Sequence, residues 1–589
     1  MKRTFSLVLV LALTASVSGQ PLSEKKIDRL TERVMKEFNV PGIAVAVVKD
    51  DRVVHMKGYG VRSIATGEKT DGHTLFAIAS NTKAFTSAAL GILVDEGKLR
   101  WDTKVTDIIP EFRLYNSYVT EDFMIRDLLT HRSGMGLGAG DLMGWPDSAD
   151  FSTAEIIHNL RYLKQTSPFR TRYDYDNMLY IVAGEVVARV SGESWEDFVE
   201  SRIMVPLGMN ESAASFRRIK DLSNIIDAHV PVDGRLQVVP KQEAKRHNSV
   251  GGIYSNVSDM SKWVMMQLNS GSYSMTDSYV KTSSNGGRGR DDRSRDKVSR
   301  DDRSRNGGSG HDRVRNGGSG DDRSRDKVSR DARSRDGGSG HAGGEAGRIF
   351  SAETHREMWT PQTVRPVGRG GAYRTNFAFY GLGWNLSDIN GHMLVLHTGG
   401  HSGIVTQVTM LPELRLGIIV LTNQEETAAF TAITNSIIDG YLGIHGHDRV
   451  RELKAAIMQQ QAEAKEVTDR IWATVEAGRD EADEMPVTGD IAGTYSDVWF
   501  GDMIISEENG RMRIRSVKSP RMRGEMFHYT ANTFIVKWDE RSFNADAFAV
   551  FTLDREGKPV SFTMEAISPL TDFSFDFQDL FLQRKQQNK

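Results

Sequence analysis

Ser80 and Lys83 stand three residues apart in the segment FAIASNTKAFTSAALGILVDEGKL, residues 76–99. The flanks LFAIAS and AFTSAALGIL are almost wholly apolar, so the segment lacks the broad polar face of a surface helix and is predicted to be buried. Residues three apart share one helical face, which brings a serine hydroxyl within reach of a lysine amine. Burial lowers the pKa of a lysine, and a neutral amine can take the hydroxyl proton. The pair predicts a serine nucleophile, against the alternative of a solvated surface lysine.

A second pair of polar side chains lies in RYDYDNMLY, where Tyr175 and Asn177 are separated by one residue. The loop enters a predicted helix, MLYIVAGEVVARVSG. A phenol beside a lysine ammonium is pushed toward phenolate, and an asparagine amide can hold a lysine in place. Taken alone, the two residues also fit a packed tyrosine and an asparagine that caps the helix.

The segment HTGG is the third candidate. His397 and Thr398 precede Gly399 and Gly400 on a predicted strand edge, where glycine lets a substrate backbone come close. A single histidine on an apolar strand is also typical of a purely structural position.

In the order S-x-x-K, Y-x-N and H-T-G, these motifs resemble the serine β-lactamase and penicillin-binding-protein superfamily, in its class C-like branch of serine hydrolases, esterases and D-amino-acid peptidases. Further segments match in the family's usual order: IRDLLTHRSGM, VPLGMNES, VGGIYSNVSDMSKW, YGLGW and LTN. The resemblance covers about residues 26–443. It implies an α/β (α+β) fold of the β-lactamase/transpeptidase type, in which helices flank an antiparallel sheet and a second subdomain is all helical.

The resemblance also implies roles for the residues that match. Ser80 attacks a carbonyl to give an acyl-enzyme, while Lys83 and Tyr175 share the proton transfers, with the identity of the base left open. Asn177 orients Lys83 and contacts substrate. The backbone N–H groups of Ser80 and Gly400 form the oxyanion hole, and water then releases the acyl group.

One residue departs from the β-lactamase and transpeptidase pattern. Those members usually carry lysine where this chain has His397, and histidine is mostly neutral near pH 7. With Thr398 and Gly399, His397 is expected to bind substrate, but to hold carboxylate-bearing β-lactams less well. The sequence therefore favours a peptidase or esterase. The rivals are a true β-lactamase or DD-carboxypeptidase, and a non-catalytic protein that binds peptidoglycan fragments or peptides.

Two further segments border these motifs. GMGLGAGD, residues 134–141, lacks the lysine of a phosphate-binding loop and is interpreted as a flexible loop beside the cleft. His131 in THRSG is expected to cap a buried turn.

Residues 1–19 have a basic start, an apolar run and small residues before Gln20, which predicts a cleaved signal peptide and a secreted or periplasmic protein. No later segment is long and apolar enough to be an integral membrane span. The chain of 589 residues contains no cysteine, which excludes disulfides, thiolate metal sites and a cysteine nucleophile. The net charge of −3 offers no general attraction to nucleic acid. No cofactor and no metal site are predicted, and the substrate class is a small peptide, an ester or a peptidoglycan-derived fragment.

The predicted hydrolase domain spans residues 20–445. PGIAVAVVKDDRVVHMKGYGVRS predicts two strands with a turn at 49–52, and HMLVLHTGGHSGIVTQVTMLPELRLGIIVLTN predicts adjacent antiparallel strands, so one sheet is built from both ends of the domain. Residues 274–347 contain a ten-residue repeat nested in a thirty-residue repeat. With almost no apolar side chains, this insert is predicted to be a disordered surface-loop expansion.

Two further regions follow. Residues 446–486 are charged and rich in helix formers, which predicts a helical linker. Residues 487–589 contain short alternating strands with ENG and REGK turns, which predict a small antiparallel β domain. This region also resembles the lipocalin-like domain that follows many such hydrolases, which implies a small antiparallel β-barrel. The sequence leaves open whether this domain covers the cleft, pairs subunits or binds ligand.

Overall fold

The computed structural model describes residues 20–241, 247–274, 346–368, 371–478 and 491–586. The predicted signal peptide, 1–19, lies outside the described residues, as does nearly all of the predicted insert, 274–347. The strands Ser272–Ser274 and Ala346–Arg348 pair with each other, so the chain leaves and re-enters the hydrolase domain at neighbouring strand ends.

An eight-stranded antiparallel sheet forms the centre of the hydrolase domain. Its strands, from one edge to the other, are Arg52–Gly60, Gly42–Lys49, Leu416–Thr422, Ile404–Leu411, His392–His401, Asn385–Ile389, Ala378–Tyr380 and Thr363–Val364. Because Gly42–Lys49 pairs with Leu416–Thr422, the prediction of a sheet built from both ends of the domain is confirmed.

Helices cover both faces of this sheet. On one face, Glu24–Phe38 and Thr427–Leu442 pack against each other and share an apolar core with the strands. On the other face, Val257–Leu268 packs against Gly42–Lys49 and Leu416–Thr422. Side chains alternate between the faces of a strand, so the unbroken apolar run of Gly42–Lys49 reflects burial on both sides.

The helix Thr82–Asp95 lies inside the hydrolase domain, where other helices surround it. It packs against Met178–Ser191, and Phe85 stacks on Trp263 with 3.9 Å between ring centroids. Twelve of its fourteen residues are buried, which confirms the buried helix predicted from the sequence.

The helices of the described residues are Glu24–Phe38, Thr82–Asp95, Val105–Ile108, Ser117–Asp122, Thr153–Asn159, Met178–Ser191, Trp195–Val199, Asn248–Gly251, Val257–Leu268, Ala352–Met358, Thr427–Leu442 and Arg449–Gly478. Short strand pairs join Phe76–Ala77 to Tyr254–Ser255 and Ala228–Val232 to Arg235–Val239. No helix in these ranges is long and apolar enough to cross a membrane.

The C-terminal region forms a closed antiparallel barrel of eight strands, each paired with the next along the chain. The strands are Gly493–Asp497, Gly501–Glu508, Arg511–Ser516, Arg523–Thr530, Thr533–Trp538, Ala547–Leu553, Pro559–Ala566 and Leu582–Arg584. This confirms the predicted small β-barrel, and its up-and-down order is the one that lipocalins have. The helix Arg449–Gly478 precedes it, within the predicted linker.

The barrel packs directly on the hydrolase domain. Arg521 forms an ion pair with Asp147 at 2.7 Å, and Lys518 forms one with Glu155, also at 2.7 Å. Both acidic residues follow the glycine-rich segment 134–141. The barrel is thereby fixed beside the part of the hydrolase domain that borders Ser80.

Candidate active site

Ser80 lies in a short 3-10 helix, Ala79–Asn81, that leads directly into Thr82–Asp95. Ala79 has a φ of 46°, in the left-handed region that costs a non-glycine residue about 1–3 kcal/mol. The turn is held by the strand His392–His401, since a β-carbon at Gly399 would lie 2.2 Å from the carbonyl oxygen of Ile78. Only glycine at 399 allows this approach.

Lys83 is fully buried, and its amine reaches Ser80. Its Nζ lies 3.0 Å from Ser80 Oγ, 2.8 Å from Asn177 Oδ1 and 3.4 Å from the carbonyl oxygen of Val250. Burial lowers the pKa of Lys83 to about 7, although the nearby carboxyl groups of Asp141 and Asp176 raise it. A substantial fraction of the amine is therefore neutral at pH 7 and able to accept the Ser80 proton.

Asn177 links Lys83 to a buried carboxyl group. Its Nδ2 donates to Asp141 Oδ2 at 2.7 Å while its Oδ1 accepts from Lys83. Asn177 does occupy the N-cap position of the helix Met178–Ser191, but its side chain makes no capping hydrogen bond there. The Asp176 carboxyl group accepts from the Leu179 N–H instead, at 3.2 Å.

Tyr175 completes the group around Ser80, with its ring centroid 4.8 Å from Lys83 Nζ. Burial raises the pKa of Tyr175 well above its usual value, and a hydrogen bond with Ser80 lowers it less. The expected shift toward phenolate is therefore wrong, because removal from water outweighs the hydrogen bond with Ser80. Tyr175 is a phenol near neutral pH.

The ring of His131 packs against that of Tyr175. It is buried with a φ of 52°, its Nδ1 accepts the N–H of Asp176 at 3.0 Å, and its ring lies 4.2 Å from that of Tyr175. The sequence placed it in a buried turn, but its contact with Tyr175 could not be derived from spacing.

His397 is 2% exposed, and both of its ring nitrogens are engaged. Nδ1 lies 2.7 Å from the carbonyl oxygen of Thr398, which can only accept, so Nδ1 carries the hydrogen; Nε2 then accepts from the Tyr380 hydroxyl at 2.9 Å. Burial lowers the pKa of His397 to about 3. The ring is neutral, as expected, and brings no positive charge to a substrate carboxylate.

A cavity of 590 Å³ opens at Ser80 and is bounded by both domains. Gly400 lies on its wall, and a β-carbon there would meet no atom within 4 Å. The hydrolase domain also contributes Trp145, stacked on His401 with 5.1 Å between centroids, and Arg365. Eight residues of the barrel domain complete one side: Ser542, Phe543, Asn544, Leu570, Asp572, Phe573, Ser574 and Phe575.

Several of these residues were missed by sequence reasoning. Asp141 ends the segment GMGLGAGD, which was correctly placed beside the cleft, and a buried carboxyl group there was signalled only by its apolar neighbours. Arg365 and Phe573 lie far from the motifs along the chain, and no spacing connects them to Ser80.

Two family models match this chain. A family model described as Beta-lactamase matches residues 27–440, and one described as a domain of unknown function (DUF3471) matches residues 489–584. The chain resembles the unguisins hydrolase of Aspergillus violaceofuscus, with 27% identity over 72% of this chain and 65% of that protein. It also resembles protein flp of Staphylococcus aureus strain N315, with 26% identity over 42% of this chain and 49% of that protein.

A solved structure, the octameric penicillin-binding protein homologue from Pyrococcus abyssi, has the same fold. It superposes with a TM-score of 0.54 at 19% identity, over 95% of this chain and all of that one. The chain spans just under two thirds of the Aspergillus violaceofuscus protein and about half of the staphylococcal one.

Proposed function

Because the chain belongs to the beta-lactamase family, we propose that it is a serine hydrolase that forms an acyl-enzyme on Ser80. Its substrates are small molecules with a peptide or ester bond, of the kind cleaved by D-amino-acid peptidases or esterases. The observation that carries the proposal is the 3.0 Å contact between Ser80 Oγ and the wholly buried amine of Lys83.

In the first step, Ser80 Oγ attacks the substrate carbonyl carbon as its proton moves to Lys83 Nζ. Lys83 is the better base, since its pKa is about 7 while that of Tyr175 is raised above its usual value. The tetrahedral intermediate collapses when the bond to the leaving group breaks. The leaving amine or alkoxide takes a proton from the Tyr175 hydroxyl, and Lys83 replaces that proton.

The oxyanion of the intermediate is bound by backbone N–H groups of Ser80 and Gly400. Donors of this type are typically worth about 10²–10³ in rate. In the second step water attacks the acyl-enzyme carbonyl and gives one proton to the Lys83 amine. The bond between Ser80 Oγ and the acyl carbon then breaks, Lys83 returns the proton to Ser80 Oγ, and the carboxylic acid leaves.

Substrate size is set by the barrel, which closes one side of the 590 Å³ cavity. Hydrolysis is also the reaction that the name of the Aspergillus relative gives. We extend the proposal to export of the protein, on the basis of residues 1–19; the N-terminal residue of protein recovered from the medium or periplasm tests this point.

The test uses D- and L-alanyl p-nitroanilides and a p-nitrophenyl ester with the full chain and with Ser80→Ala. If the unaltered protein prefers the D-anilide and Ser80→Ala does not cleave it, the protein acts as a D-amino-acid peptidase. If the unaltered protein cleaves only the ester, and Ser80→Ala does not, it acts as an esterase. If none of the three substrates is cleaved and a fluorophosphonate leaves Ser80 unmodified, the proposal fails. Binding of peptidoglycan fragments then becomes the function to test.

A second candidate is a β-lactamase or DD-carboxypeptidase, and Arg365 favours it. Its side chain lies in the cavity, with the guanidinium 4.7 Å from the Tyr173 ring centroid. This cation can bind the substrate carboxylate that neutral His397 does not. The candidate predicts penicillin turnover whose KM rises about tenfold or more in Arg365→Gln; unchanged KM for penicillin contradicts it.

A further inference from the structure

A barrel carboxyl group, Asp576, binds the glycine-rich loop of the hydrolase domain. Asp576 Oδ2 accepts the N–H of Gly140 at 2.6 Å, and its Oδ1 accepts the N–H of Leu142 at 3.0 Å. The side chain is fully buried. The two N–H groups flank Asp141 in sequence, so one barrel side chain fixes the backbone on both sides of that residue.

Asp141 is the residue on which Asn177 depends. Its Oδ2 accepts from Asn177 Nδ2 at 2.7 Å, and Asn177 Oδ1 accepts from Lys83 Nζ at 2.8 Å. Asp141 is also fully buried. The backbone of residues 140–142 therefore connects the two hydrogen bonds of Asp576 to the two that lead from Asp141 through Asn177 to the amine of Lys83.

The same barrel segment contacts the other proton-handling residue. The ring of Phe573 meets that of Tyr175 edge to face, with centroids 5.7 Å apart. A β-carbon at Gly138 would lie 2.6 Å from the Phe573 carbonyl oxygen, and the Gly138 N–H donates to the carbonyl of Tyr175 at 2.8 Å. Thus the barrel packs on the Tyr175 loop as well as on the Asp141 loop.

We propose that Asp576 is a positioning residue for Lys83, so that the catalytic group is assembled only when the barrel is docked. The inference rests on the proposed function. Buried backbone N–H groups require hydrogen-bond acceptors. Among the described residues, Asp576 is the acceptor for the N–H groups of Gly140 and Leu142. Without it, the loop moves to reach water, and Asn177 loses the fixed acceptor that aims its oxygen at Lys83.

The contact with the loop affects the carboxyl group of Asp576, because the Leu142 and Gly140 N–H groups lower its pKa against the larger effect of burial. Burial raises the pKa of Asp576 and of Asp141 well above usual values, and each is raised further by a neighbouring carboxyl group. Loss of the clamp admits water to a site whose dryness is the main cause of the low pKa of Lys83. The pKa of Lys83 then moves up toward that of an exposed lysine.

The test compares Asp576→Asn with Asp497→Asn in the full chain. Asp497 is a matched control, since it is a buried barrel carboxyl group whose oxygens accept the N–H groups of Trp499, Phe500 and Phe581. Its bonds stay within the barrel. Both replacements put an amide nitrogen against a backbone N–H, so both are expected to weaken the barrel. Only Asp576→Asn acts on the loop that contains Asp141.

Two readouts are measured beside the thermal unfolding midpoint. The first is the pKa of Lys83, followed by NMR of ¹³C-lysine-labelled protein with the signal assigned through Lys83→Met. The second is the rate at which a fluorophosphonate modifies Ser80. Asp576→Asn is expected to raise the pKa by at least about one unit and to slow modification roughly tenfold or more at pH 7. Asp576→Ser keeps one acceptor and gives a smaller change in the same direction.

The inference is overturned if the pKa of Lys83 in both Asp576 variants equals that in the unaltered protein. It is also overturned if Asp497→Asn changes the pKa of Lys83 by as much as Asp576→Asn does, at a similar loss of stability. Failure of the proposed function looks different. In that case the fluorophosphonate leaves Ser80 unmodified in every protein, while the lysine titration still separates Asp576→Asn from Asp497→Asn.

Discussion

Asn177 and Lys83 are joined by a 2.8 Å hydrogen bond between the amide oxygen and the amine, deep beneath the Ser80 hydroxyl. The bond gives the amine a fixed direction. It also leaves the amide nitrogen to bond Asp141, so neither end of the asparagine is free to rotate.

Asn177→Asp is expected to move the pH profile of Ser80 acylation to higher pH. A carboxyl group in direct contact with Lys83, added to those of Asp141 and Asp176 nearby, favours the ammonium, so the pKa of Lys83 rises by about 1–3 units, as for a charge within hydrogen-bond distance. The profile is measured with p-nitrophenyl acetate in single-turnover experiments. Asn116→Asp, at an exposed helix cap, serves as control. An unchanged midpoint in Asn177→Asp would contradict the assignment of Lys83 as the base that accepts the Ser80 proton.

Lys83→Met is expected to lower the acylation rate by about 10²–10⁴, the usual contribution of a positioned general base. Methionine fills most of the lysine volume but accepts no proton. Lys98→Met, at an exposed lysine beyond the end of the same helix, should keep the full rate. Acylation in Lys83→Met within tenfold of the unaltered protein would show that another group takes the proton.

The acylation rate of the unaltered protein should rise with pH to a plateau, with a midpoint near 7. Only neutral Lys83 accepts the proton, and its pKa is lowered to about 7, so acid pH protonates it and stops the step. Tyr175→Phe should slow the reaction without moving this midpoint, because the pKa of Tyr175 lies well above its usual value. A midpoint that disappears in Tyr175→Phe would instead make the phenol the titrating base.

Gly399→Ala and Gly400→Ala form a matched pair of substitutions on one strand. The new methyl group at 399 would lie 2.2 Å from the Ile78 carbonyl oxygen and 2.5 Å from Thr406 Oγ1. Gly399→Ala should therefore lose at least about 1–3 kcal/mol of unfolding free energy, together with most activity. Gly400→Ala meets no atom within 4 Å and should unfold at the normal denaturant concentration. Equal stability of the two variants would rule out the close approach.

Phe573→Ala should widen substrate preference toward longer acyl groups. The Phe573 ring lies against Tyr175 on the cavity wall, so its removal opens space beside Ser80. The ratio of kcat/KM for p-nitrophenyl hexanoate over acetate is expected to rise several-fold, about 1 kcal/mol for a few added methylenes. Phe581→Ala, at an exposed barrel position, is the control. An unchanged ratio would mean that the barrel does not limit the acyl site.

The sequence alone determined the parts of this protein that depend on local spacing. The interval between Ser80 and Lys83 fixes their common helical face, and the apolar flanks fix the burial of that helix. Alternating and β-branched runs located the hairpin at 49–52 and the strands that carry HTGG. Short alternating strands with recurrent turn residues located an antiparallel β domain at 487–589, and its resemblance to a lipocalin-like domain implied the closed barrel.

Only the tertiary structure decided which groups share the catalytic cavity and in what charge state. Burial, which depends on every surrounding element, lowers the pKa of Lys83 and raises that of Tyr175. The hydrogen bonds of Asp576 to Gly140 and Leu142 join residues 436 and 434 positions apart in the chain. Spacing specifies local geometry, whereas desolvation and long-range hydrogen bonds arise only when distant segments pack together.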